Sequence, residues 1–276
     1  MQPAKARVSY RIPLVGGFTD FPQYYTKFGG QTICCLIDKF IEVSIIPNTH
    51  RGIDIKSSAD LPWGIGLGSS GVYYAALVSA LAEAKKQKLG KLKIAELAYQ
   101  LENGIEDNAT GRQDSVSCLY RGCSKINYLR DDSVTVDRIP LSREWQKKLD
   151  SRLLLFDTGI RRRARDSIKD LLSRRNQPVL DEIAKLPDLL LAAWRKGDID
   201  YLATAISLQQ ALRSQASPSC TSPRTYDLLR IVQSCGGGAR LTGAGLGALL
   251  CYCHEKNQER LRRKLGLSEI KFSILW

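Results

Sequence analysis

Residues 62–71, PWGIGLGSSG, have the composition of a loop that binds phosphate groups. Four glycines in this segment can adopt positive φ angles and leave room for a ligand beside the main chain. The two serines stand at the expected start of an apolar helix, whose first backbone N–H groups lack helical partners and attract anions. The segment therefore predicts a phosphate site at Gly64, Gly66, Gly68, Ser69, Ser70 and Gly71.

Two better-known phosphate-binding loops fit this segment less well. A P-loop requires a lysine followed by serine or threonine after its last glycine, and the first lysine after the loop is Lys85. The glycine spacing of dinucleotide-binding loops, GxGxxG, does occur at residues 66–71. That pattern alone is weak, and the paired serines favour another kind of loop. A glycine-rich turn that only begins a core helix is the structural alternative.

Acidic residues follow in the segment LENGIEDNATGRQD, which places Glu102 and Asp114 twelve positions apart. Transfer of a phosphoryl group to an alcohol needs Mg²⁺ to neutralise the phosphates and a carboxylate to orient or deprotonate the hydroxyl. Two carboxylates can divide these tasks, because one that binds a cation stays ionised while the other faces the acceptor. Glu106 and Asp107 are alternative cation ligands in the same segment.

Length and composition indicate a globular protein with two subdomains. The chain has 276 residues, of which 43% are hydrophobic and 25% are charged. No apolar stretch is long enough to span a membrane, and the first residues lack the apolar region of a signal peptide, so we expect a cytoplasmic protein. Its eight cysteines are then expected to be reduced. The two histidines, His50 and His254, lie outside every motif, which excludes a histidine mechanism.

The net charge of +13 is compatible with nucleic acid, an anionic membrane surface or phosphorylated small molecules as partners. The basic residues are spread along the chain, and aromatic residues do not alternate with them as binding of single strands requires. We therefore expect neither a nucleic-acid nor a membrane partner.

Hydrophobic periodicity predicts strands and helices in mixed order, with a domain boundary near Asp150. Strands are predicted at 5–10, 32–46, 116–129, 134–139, 152–156, 239–242, 247–253 and 270–275. Helices are predicted after Ser70 and at 92–102, 165–173, 181–196, 199–215, 226–234 and 256–265, with a short helix or ordered loop at 21–30.

Three segments together resemble the motifs of the superfamily of galactokinase, homoserine kinase, mevalonate kinase and phosphomevalonate kinase, the GHMP kinases. The second motif is a proline, three residues and Gly-Leu-Gly-Ser-Ser, which matches Pro62 and residues 66–70. The first motif resembles residues 11–20, RIPLVGGFTD, and the third resembles residues 239–247, ARLTGAGLG. In the family, the third motif is a glycine turn that supports the phosphate loop.

The chain departs from the family pattern at several positions. Gly17-Phe18 precedes Thr19-Asp20 where galactokinases have Glu-His, and this segment looks instead like the heptose 7-phosphate kinase and fucokinase branch. Leu246 and Ala248 stand where relatives often have glycine. Residues 41–61 form a short segment where relatives carry extra strands and a helix beside the adenine, so we expect an unusual nucleotide preference.

The resemblance implies ATP and Mg²⁺ as cofactors and assigns roles to individual residues. Asp114 is the implied base, Ser70 and Glu102 hold Mg²⁺, and Arg11 either stabilises developing charge or forms an ion pair at a strand end. The phosphate-binding set gains Pro62 and Leu67. Implied substrate-binding residues are Gly17, Thr19, Asp20, Gly111, Thr158, Gly159, Arg161, Arg165, Gly243 and Gly245. Arg161, Arg162, Arg163 and Arg165 either bind a distal phosphate of the acceptor or form a solvated helix start.

The implied fold is α+β with two domains, one at 1–150 like ribosomal protein S5 domain 2 and a ferredoxin-like one at 151–276, with ATP between them. The implied activity transfers the γ-phosphoryl group of ATP to a sugar hydroxyl. The leading acceptor is the anomeric hydroxyl of D-glycero-D-manno-heptose 7-phosphate. The alternatives are a kinase for an unphosphorylated sugar such as L-fucose and a non-catalytic sugar sensor. The protein is expected to be a monomer or a homodimer.

Overall fold

The computed structural model describes residues 1–49, 52–105, 110–161, 168, 170–243 and 247–276. The strands are β1 (Ala4–Val15), β2 (Gly30–Pro47), β3 (Ile53–Ala59), β4 (Cys123–Tyr128), β5 (Val134–Arg138), β6 (Leu153–Asp157), β7 (Gly238–Leu241), β8 (Ala248–Tyr252) and β9 (Ser268–Glu269). The helices are α1 (Pro22–Phe28), α2 (Ser69–Ala84), α3 (Lys91–Ile105), α4 (Gln113–Ser117), α5 (Arg143–Arg152), α6 (Gln177–Arg195), α7 (Tyr201–Ala216), α8 (Pro223–Ser234) and α9 (Glu255–Leu265). Short 3₁₀ turns lie at Arg174–Asn176 and Pro218–Cys220.

The first sheet has the strand order β1-β2-β4-β5, and β3 pairs with the far end of β2. All its pairs are antiparallel. Strand β2 reaches three neighbours because it is 18 residues long and rich in β-branched residues, which favour extended backbone. This sheet places Arg11, near the end of β1, beside the central strand.

The second sheet has the strand order β7-β8-β6-β9 and is also antiparallel. Strand β6 is buried on both faces, which explains its continuous apolar sequence LLLF. Leu153 and Leu155 belong to the main core, whereas Leu154 and Phe156 pack with α8 and α9 on the opposite side. The main core also contains residues of β1, β2 and α2, so it joins both sheets.

The expected α+β class is confirmed by these two antiparallel sheets and their covering helices. Two of the predicted strands differ. The prediction of strand at 116–129 is wrong at its start, because Val116 and Ser117 end helix α4 and strand β4 begins at Cys123. Of the predicted helix 165–173, residues 165–167 and 169 lie outside the described residues, and residues 168, 170 and 171 are helical.

The predicted last strand, 270–275, does not extend the second sheet. Only Ser268–Glu269 pairs with β6, and the chain then crosses to the first sheet. There Asp38 N–H donates to the Ser273 carbonyl at 3.0 Å, and Leu275 N–H donates to the Leu36 carbonyl at 3.0 Å. The segment is extended, as predicted, but its partner is the other sheet.

The expectation that all eight cysteines are reduced is wrong at one pair. Cys35 on β2 and Cys123 on β4 lie directly opposite each other and form a disulfide. The other six cysteines are buried thiols. The pairing depends on the register between two strands that are 88 positions apart, which spacing in the sequence does not reveal.

Within the described part of the chain, none of the helices has the length and hydrophobicity that crossing a bilayer requires.

Candidate active site

The glycine-rich loop ends at the first turn of α2. Gly68 immediately precedes the helix with φ of 74° and ψ of 30°, a left-handed conformation that favours glycine, and its carbonyl accepts the first helical hydrogen bond from Val72 at 2.9 Å. Gly64 and Gly66 also have positive φ, at 76° and 81°. The chain turns at these three glycines, so the first N–H groups of the helix lie in front of the loop.

Helix α4 brings Asp114 against this loop. A Cβ atom on Gly68 would lie 2.8 Å from the Asp114 Cγ and 3.1 Å from Nη2 of Arg11, and a Cβ on Gly71 would lie 2.6 Å from the Asp114 Cβ. Only bare main chain fits at these two positions. The carboxylate therefore stands at the start of α2, where a phosphate would bind.

Arg11 holds the same carboxylate from the side of β1. Its Nε donates to Oδ1 of Asp114 at 3.0 Å, and its Nη2 also contacts that oxygen. The Arg11 side chain is buried, whereas 30% of the Asp114 side chain is exposed. Burial is the largest influence and would lower the pKa of Arg11, but the charge of Asp114, the effect of Cys34, the hydrogen bond to Asp114 and the effect of Asp20 together raise the pKa. The guanidinium is thus permanently charged, and Asp114 keeps one side open to a ligand.

The turn between β1 and α1 positions Asp20 at the start of α4, close enough to Asp114 to feel its charge. The Asp20 carboxylate accepts hydrogen bonds from the N–H groups of Phe18 and Gln113, each at 3.0 Å. Burial raises the pKa of Asp20 to about 6, the Gln113 N–H group opposes this, and the charge of Asp114 adds to it. Gly111 packs against this carboxylate, because a Cβ there would lie 2.0 Å from Oδ2.

Thr19 and Gly17 have different surroundings within that turn. The fully buried Thr19 hydroxyl donates to the Gly16 carbonyl at 2.8 Å and accepts from the Gln31 N–H group at 3.1 Å, so it stabilises the turn itself. Gly17 instead lies against Gln113, since a Cβ on Gly17 would lie 3.1 Å from Oε1 of Gln113.

The turn after β7 supports the glycine loop from behind. A Cβ on Gly66 would lie 2.4 Å from the Thr242 carbonyl oxygen, and a Cβ on Gly243 would lie 2.5 Å from the Gly66 Cα. The Gly247 carbonyl accepts from the Thr158 hydroxyl at 2.8 Å, which ties β6 to the same turn. The main chain of the loop contacts the main chain of the turn directly, so both segments require glycine where they meet.

Arg161 lies on the loop side of the site. Its two terminal nitrogens donate to both oxygens of Asp157 at 2.8 and 2.7 Å, an arrangement that raises the pKa of Arg161 and lowers the pKa of Asp157. Its Cδ would lie 3.6 Å from a Cβ on Gly64. Gly159, in the turn between them, has positive φ and donates to Asp157 at 2.8 Å.

The predicted magnesium ligands lie on helices α2 and α3. Ser70 is in the first turn of α2 and is partly exposed, whereas Glu102 is buried in α3, which packs on α2. Burial first, then the charge of Asp114 and, more weakly, that of Glu102 raise the pKa of the nearby Cys118. Hydroxyl and carboxylate oxygens are ligands that Mg²⁺ prefers, so this donor set fits the ion. The described residues contain no cluster of three or more histidine, cysteine or acidic residues that suits a metal.

The structure thus brings together Arg11, Asp20, Gly68, Gly71, Gly111 and Asp114 at one point, with Gly66 and Gly243 behind the loop. Arg165 and Gly245 lie outside the described residues, as do Arg162, Arg163, Glu106 and Asp107. Reasoning from the sequence missed Gln113 and Arg240. Arg240 did carry a signal, since it is a charged residue inside the apolar strand GARLTG.

Comparison with known proteins identifies the family of the chain. The family model of the GHMP kinases N terminal domain matches residues 31–122, and that of the GHMP kinases C terminal domain matches residues 190–268. The bifunctional fucokinase/GDP-fucose pyrophosphorylase of Arabidopsis thaliana is 27% identical over 83% of this chain and 22% of its own length. The D-glycero-alpha-D-manno-heptose 7-phosphate kinase of Campylobacter jejuni is 23% identical over 60% of this chain and 62% of its own. The chain therefore spans less than two thirds of either relative.

Solved structures match over nearly the whole chain. A D-glycero-D-manno-heptose 1-phosphate kinase from Bacteroides thetaiotaomicron superposes with a TM-score of 0.78 at 16% identity, covering 98% of this chain and 96% of that one. The mevalonate kinase of Methanococcus jannaschii gives 0.73 at 17% identity, covering 99% and 98%. Since the two family models together match more than half of the sequence and the fold matches throughout, the chain belongs to the GHMP kinase family.

Proposed function

We propose that this chain is an ATP-dependent sugar kinase that transfers the γ-phosphoryl group to a sugar hydroxyl. The observation that supports this most directly is the Asp114 carboxylate, which contacts Arg11 and lies against the bare main chain of Gly68 at the start of α2. An acceptor hydroxyl next to Asp114 would be in line with a phosphate bound by the loop. Such positioning accounts for much of the catalysis in phosphoryl transfer.

The loop would bind the phosphates of ATP through the N–H groups at the start of α2 and the main chain of Pro62, Gly64, Gly66, Leu67, Gly68, Ser69, Ser70 and Gly71. Ser70 and Glu102 would hold Mg²⁺, which supplies positive charge to the β- and γ-phosphates when bound. The turn at Gly243 keeps the loop in shape, because it touches Gly66 directly.

Asp114 would take the proton of the acceptor hydroxyl, a task that needs an ionised and accessible carboxylate. Its neighbour Arg11 keeps one buried nitrogen, Nη1, without an acceptor in the described part of the chain. This donor is available to an oxygen of the transferring phosphoryl group. Stabilisation of developing charge by a fixed donor of this kind typically contributes about 10²–10³ in rate.

The proposed acceptor is D-glycero-D-manno-heptose 7-phosphate, phosphorylated at its anomeric hydroxyl. Heptose phosphate kinases are among both the sequence relatives and the structural matches. The residues proposed to contact the sugar are Gly17, Thr19, Asp20, Gly111, Thr158, Gly159, Arg161, Arg165, Gly243 and Gly245, of which Arg165 and Gly245 lie outside the described residues. An unphosphorylated sugar such as L-fucose is the alternative acceptor, since a fucokinase is also among the relatives.

The domain division, the cellular location and the oligomeric state belong to the same proposal. The chain would divide into domains at 1–150 and 151–276, with ATP between them. It would work in the cytoplasm on small molecules, without nucleic-acid or membrane partners. It would act as a monomer or a homodimer.

The experiment that tests the function measures ADP release with ATP and Mg²⁺ across free hexoses, free heptoses and their 6- and 7-phosphates. We expect turnover with a sugar 7-phosphate and its loss in Asp114→Asn, which keeps the size of the side chain but cannot accept the proton. Turnover that survives in Asp114→Asn would contradict the assignment of the base. Sugars that raise the melting temperature without any turnover would identify a sensor in place of a kinase.

A further inference from the structure

Two buried guanidinium groups near the turn at Gly17 have no carboxylate partner among the described residues. Arg213 on α7 is completely buried, and Arg240 on β7 is 3% exposed. Each makes a single hydrogen bond from Nη1, Arg213 to the Leu241 carbonyl at 2.9 Å and Arg240 to the Leu14 carbonyl at 3.1 Å. Nε of both residues and Nη2 of Arg213 have no acceptor in the part of the chain that the structure describes.

The other buried arginines of the described chain are all neutralised. Arg11 contacts Asp114, Arg112 contacts Glu96 and Asp132, and Arg152 contacts Asp200 and Glu255. Burial of a charge without a partner costs several kcal/mol, which is why proteins pair such groups. The exception at Arg213 and Arg240 therefore indicates a partner that is not part of the described chain.

Both guanidinium groups lie at the proposed acceptor site. Nη2 of Arg240 is 3.8 Å from the position that a Cβ on Gly17 would occupy, on the side that also faces Gln113. Cζ of Arg213 lies 5.2 Å from the centre of the Phe18 ring. Phe18 has a φ of 78°, a strained value for a large side chain, and strain of this kind is concentrated at functional turns.

The charge at this position is strongly unbalanced. Burial, together with the positive charges of Arg213 and Arg11, lowers the pKa of Arg240 to about 9. The group is still protonated at neutral pH, and it is surrounded by like charges. An anion placed beside it would be stabilised by Arg240 and Arg213, and the geometry of a guanidinium suits the oxygens of a phosphate.

Arg161 is a weaker candidate for the same ligand. Both oxygens of Asp157 already occupy its terminal nitrogens, and it lies beside Gly64 on the nucleotide loop. We propose that Arg240, together with Arg213, binds the phosphate group of a phosphorylated sugar acceptor beside Gly17. This rests on the proposed function, since it places the acceptor at that turn.

The test uses inorganic phosphate as the probe and does not depend on turnover. Thermal unfolding of the intact chain is followed at increasing phosphate, with a non-hydrolysable ATP analogue and Mg²⁺ present so that the glycine loop is already filled. We expect phosphate to raise the melting temperature of the wild type, and to raise it far less in Arg240→Met and Arg213→Met. Arg260→Gln, which removes an exposed charge on α9, is the matched control and should respond like the wild type.

A phosphate response that is equal in Arg240→Met and the wild type would overturn the assignment, and so would a wild type without any response. If the methionine variants do not fold, Arg240→Lys keeps a single charge and should give an intermediate response. A response that is fully retained in Arg240→Lys and in Arg213→Lys would also count against a guanidinium site.

Kinetics provide a second and separate measurement. For a sugar phosphate, we expect Arg240→Met to raise KM by about 10- to 100-fold, the effect of a lost charged hydrogen bond, with little change for the unphosphorylated sugar. An equal change for both sugars would indicate a structural role and contradict the inference. If no sugar is turned over by the wild type, the proposed function fails, while the phosphate titration still decides whether the site exists.

Discussion

At the scale of single residues, Asp114 depends on two neighbours that are distant in sequence. The guanidinium of Arg11 comes from β1, and the bare main chain of Gly68 comes from the loop before α2. The motifs were recognisable in the sequence, but the contact across 103 positions was not. The buried pair Arg213 and Arg240 could not be predicted either, because burial of a charge depends on packing between α7 and β7.

Gly68→Ala should disturb the site more than the addition of one methyl group suggests. The new methyl group would lie 2.8 Å from the Asp114 Cγ, on a residue whose φ is 74°. We expect a destabilisation of about 1–3 kcal/mol from the backbone alone, together with a loss of ATP binding. Chemical unfolding and calorimetric titration with ATP would measure both.

Gly90→Ala is the control for that variant. A Cβ on Gly90 meets no atom within 4 Å, and its backbone is not left-handed. Its stability and ATP affinity should match the wild type. Equal behaviour of the two variants would contradict the role given to the Gly68 contact.

The ionisation of Asp20 should make stability depend on pH. Burial raises its pKa to about 6. A carboxyl group whose pKa is higher in the folded than in the unfolded chain stabilises the fold while protonated. Its contribution is therefore fully present below about pH 4 and is lost as the pH rises through 6. A shift of about two pKa units corresponds to roughly 3 kcal/mol.

Asparagine at position 20 cannot ionise, so the Asp20→Asn variant should not lose stability as the pH rises through 6. We expect the unfolding free energy of the variant, relative to the wild type, to improve by about 2–3 kcal/mol between pH 4 and pH 7. Urea unfolding at a series of pH values would show the difference. Parallel curves for the two proteins would mean that Asp20 keeps an ordinary pKa.

At the scale of elements, periodicity predicted most helices and strands because each buries a regular face. Strand β6 is an example, since four successive apolar residues are buried on alternating sides. The errors arose where a contact elsewhere decides the conformation. Val116 is β-branched, yet it is helical in α4, and the segment after β9 pairs with Leu36 and Asp38 of the other sheet.

Trp63 should report nucleotide binding at the glycine loop. Trp63 directly precedes Gly64 and is 52% exposed. The centre of its ring lies 5.8 Å from the centre of the Tyr73 ring. A nucleotide on the loop would change the surroundings of this indole, so we expect ATP to alter the tryptophan fluorescence of the wild type. Trp63→Phe should abolish that change, whereas Trp194→Phe, which removes a buried indole, should retain it. A signal that persists without Trp63 would contradict this position of the nucleotide.

At the scale of the whole molecule, the last residues connect the two sheets. Asp150 accepts hydrogen bonds from the Ile274 N–H group at 3.0 Å and from Nε1 of Trp276 at 2.8 Å. The tail thereby joins the end of α5 to β2. Similarity of the three motifs indicated the α+β fold from the sequence, but this return of the chain to the first sheet was not predictable.

Trp276→Ala should therefore lower the stability of the entire protein. The variant loses the hydrogen bond to Asp150 and the packing of the indole against the main core. We expect a loss of about 2–4 kcal/mol in the unfolding free energy. Trp63→Ala, at an exposed position, should cost much less, and equal losses in the two variants would contradict the role of the tail.

The contact between Gly66 and the turn at Gly243 has a consequence for biosynthesis. The loop that would hold ATP is synthesised well before the turn at Gly243 on which it rests. On the ribosome, the emerging first sheet would carry an unsupported loop until Gly247 has left the exit tunnel. A nascent chain arrested before residue 240 should therefore bind ATP far more weakly than one that includes residues 240–276.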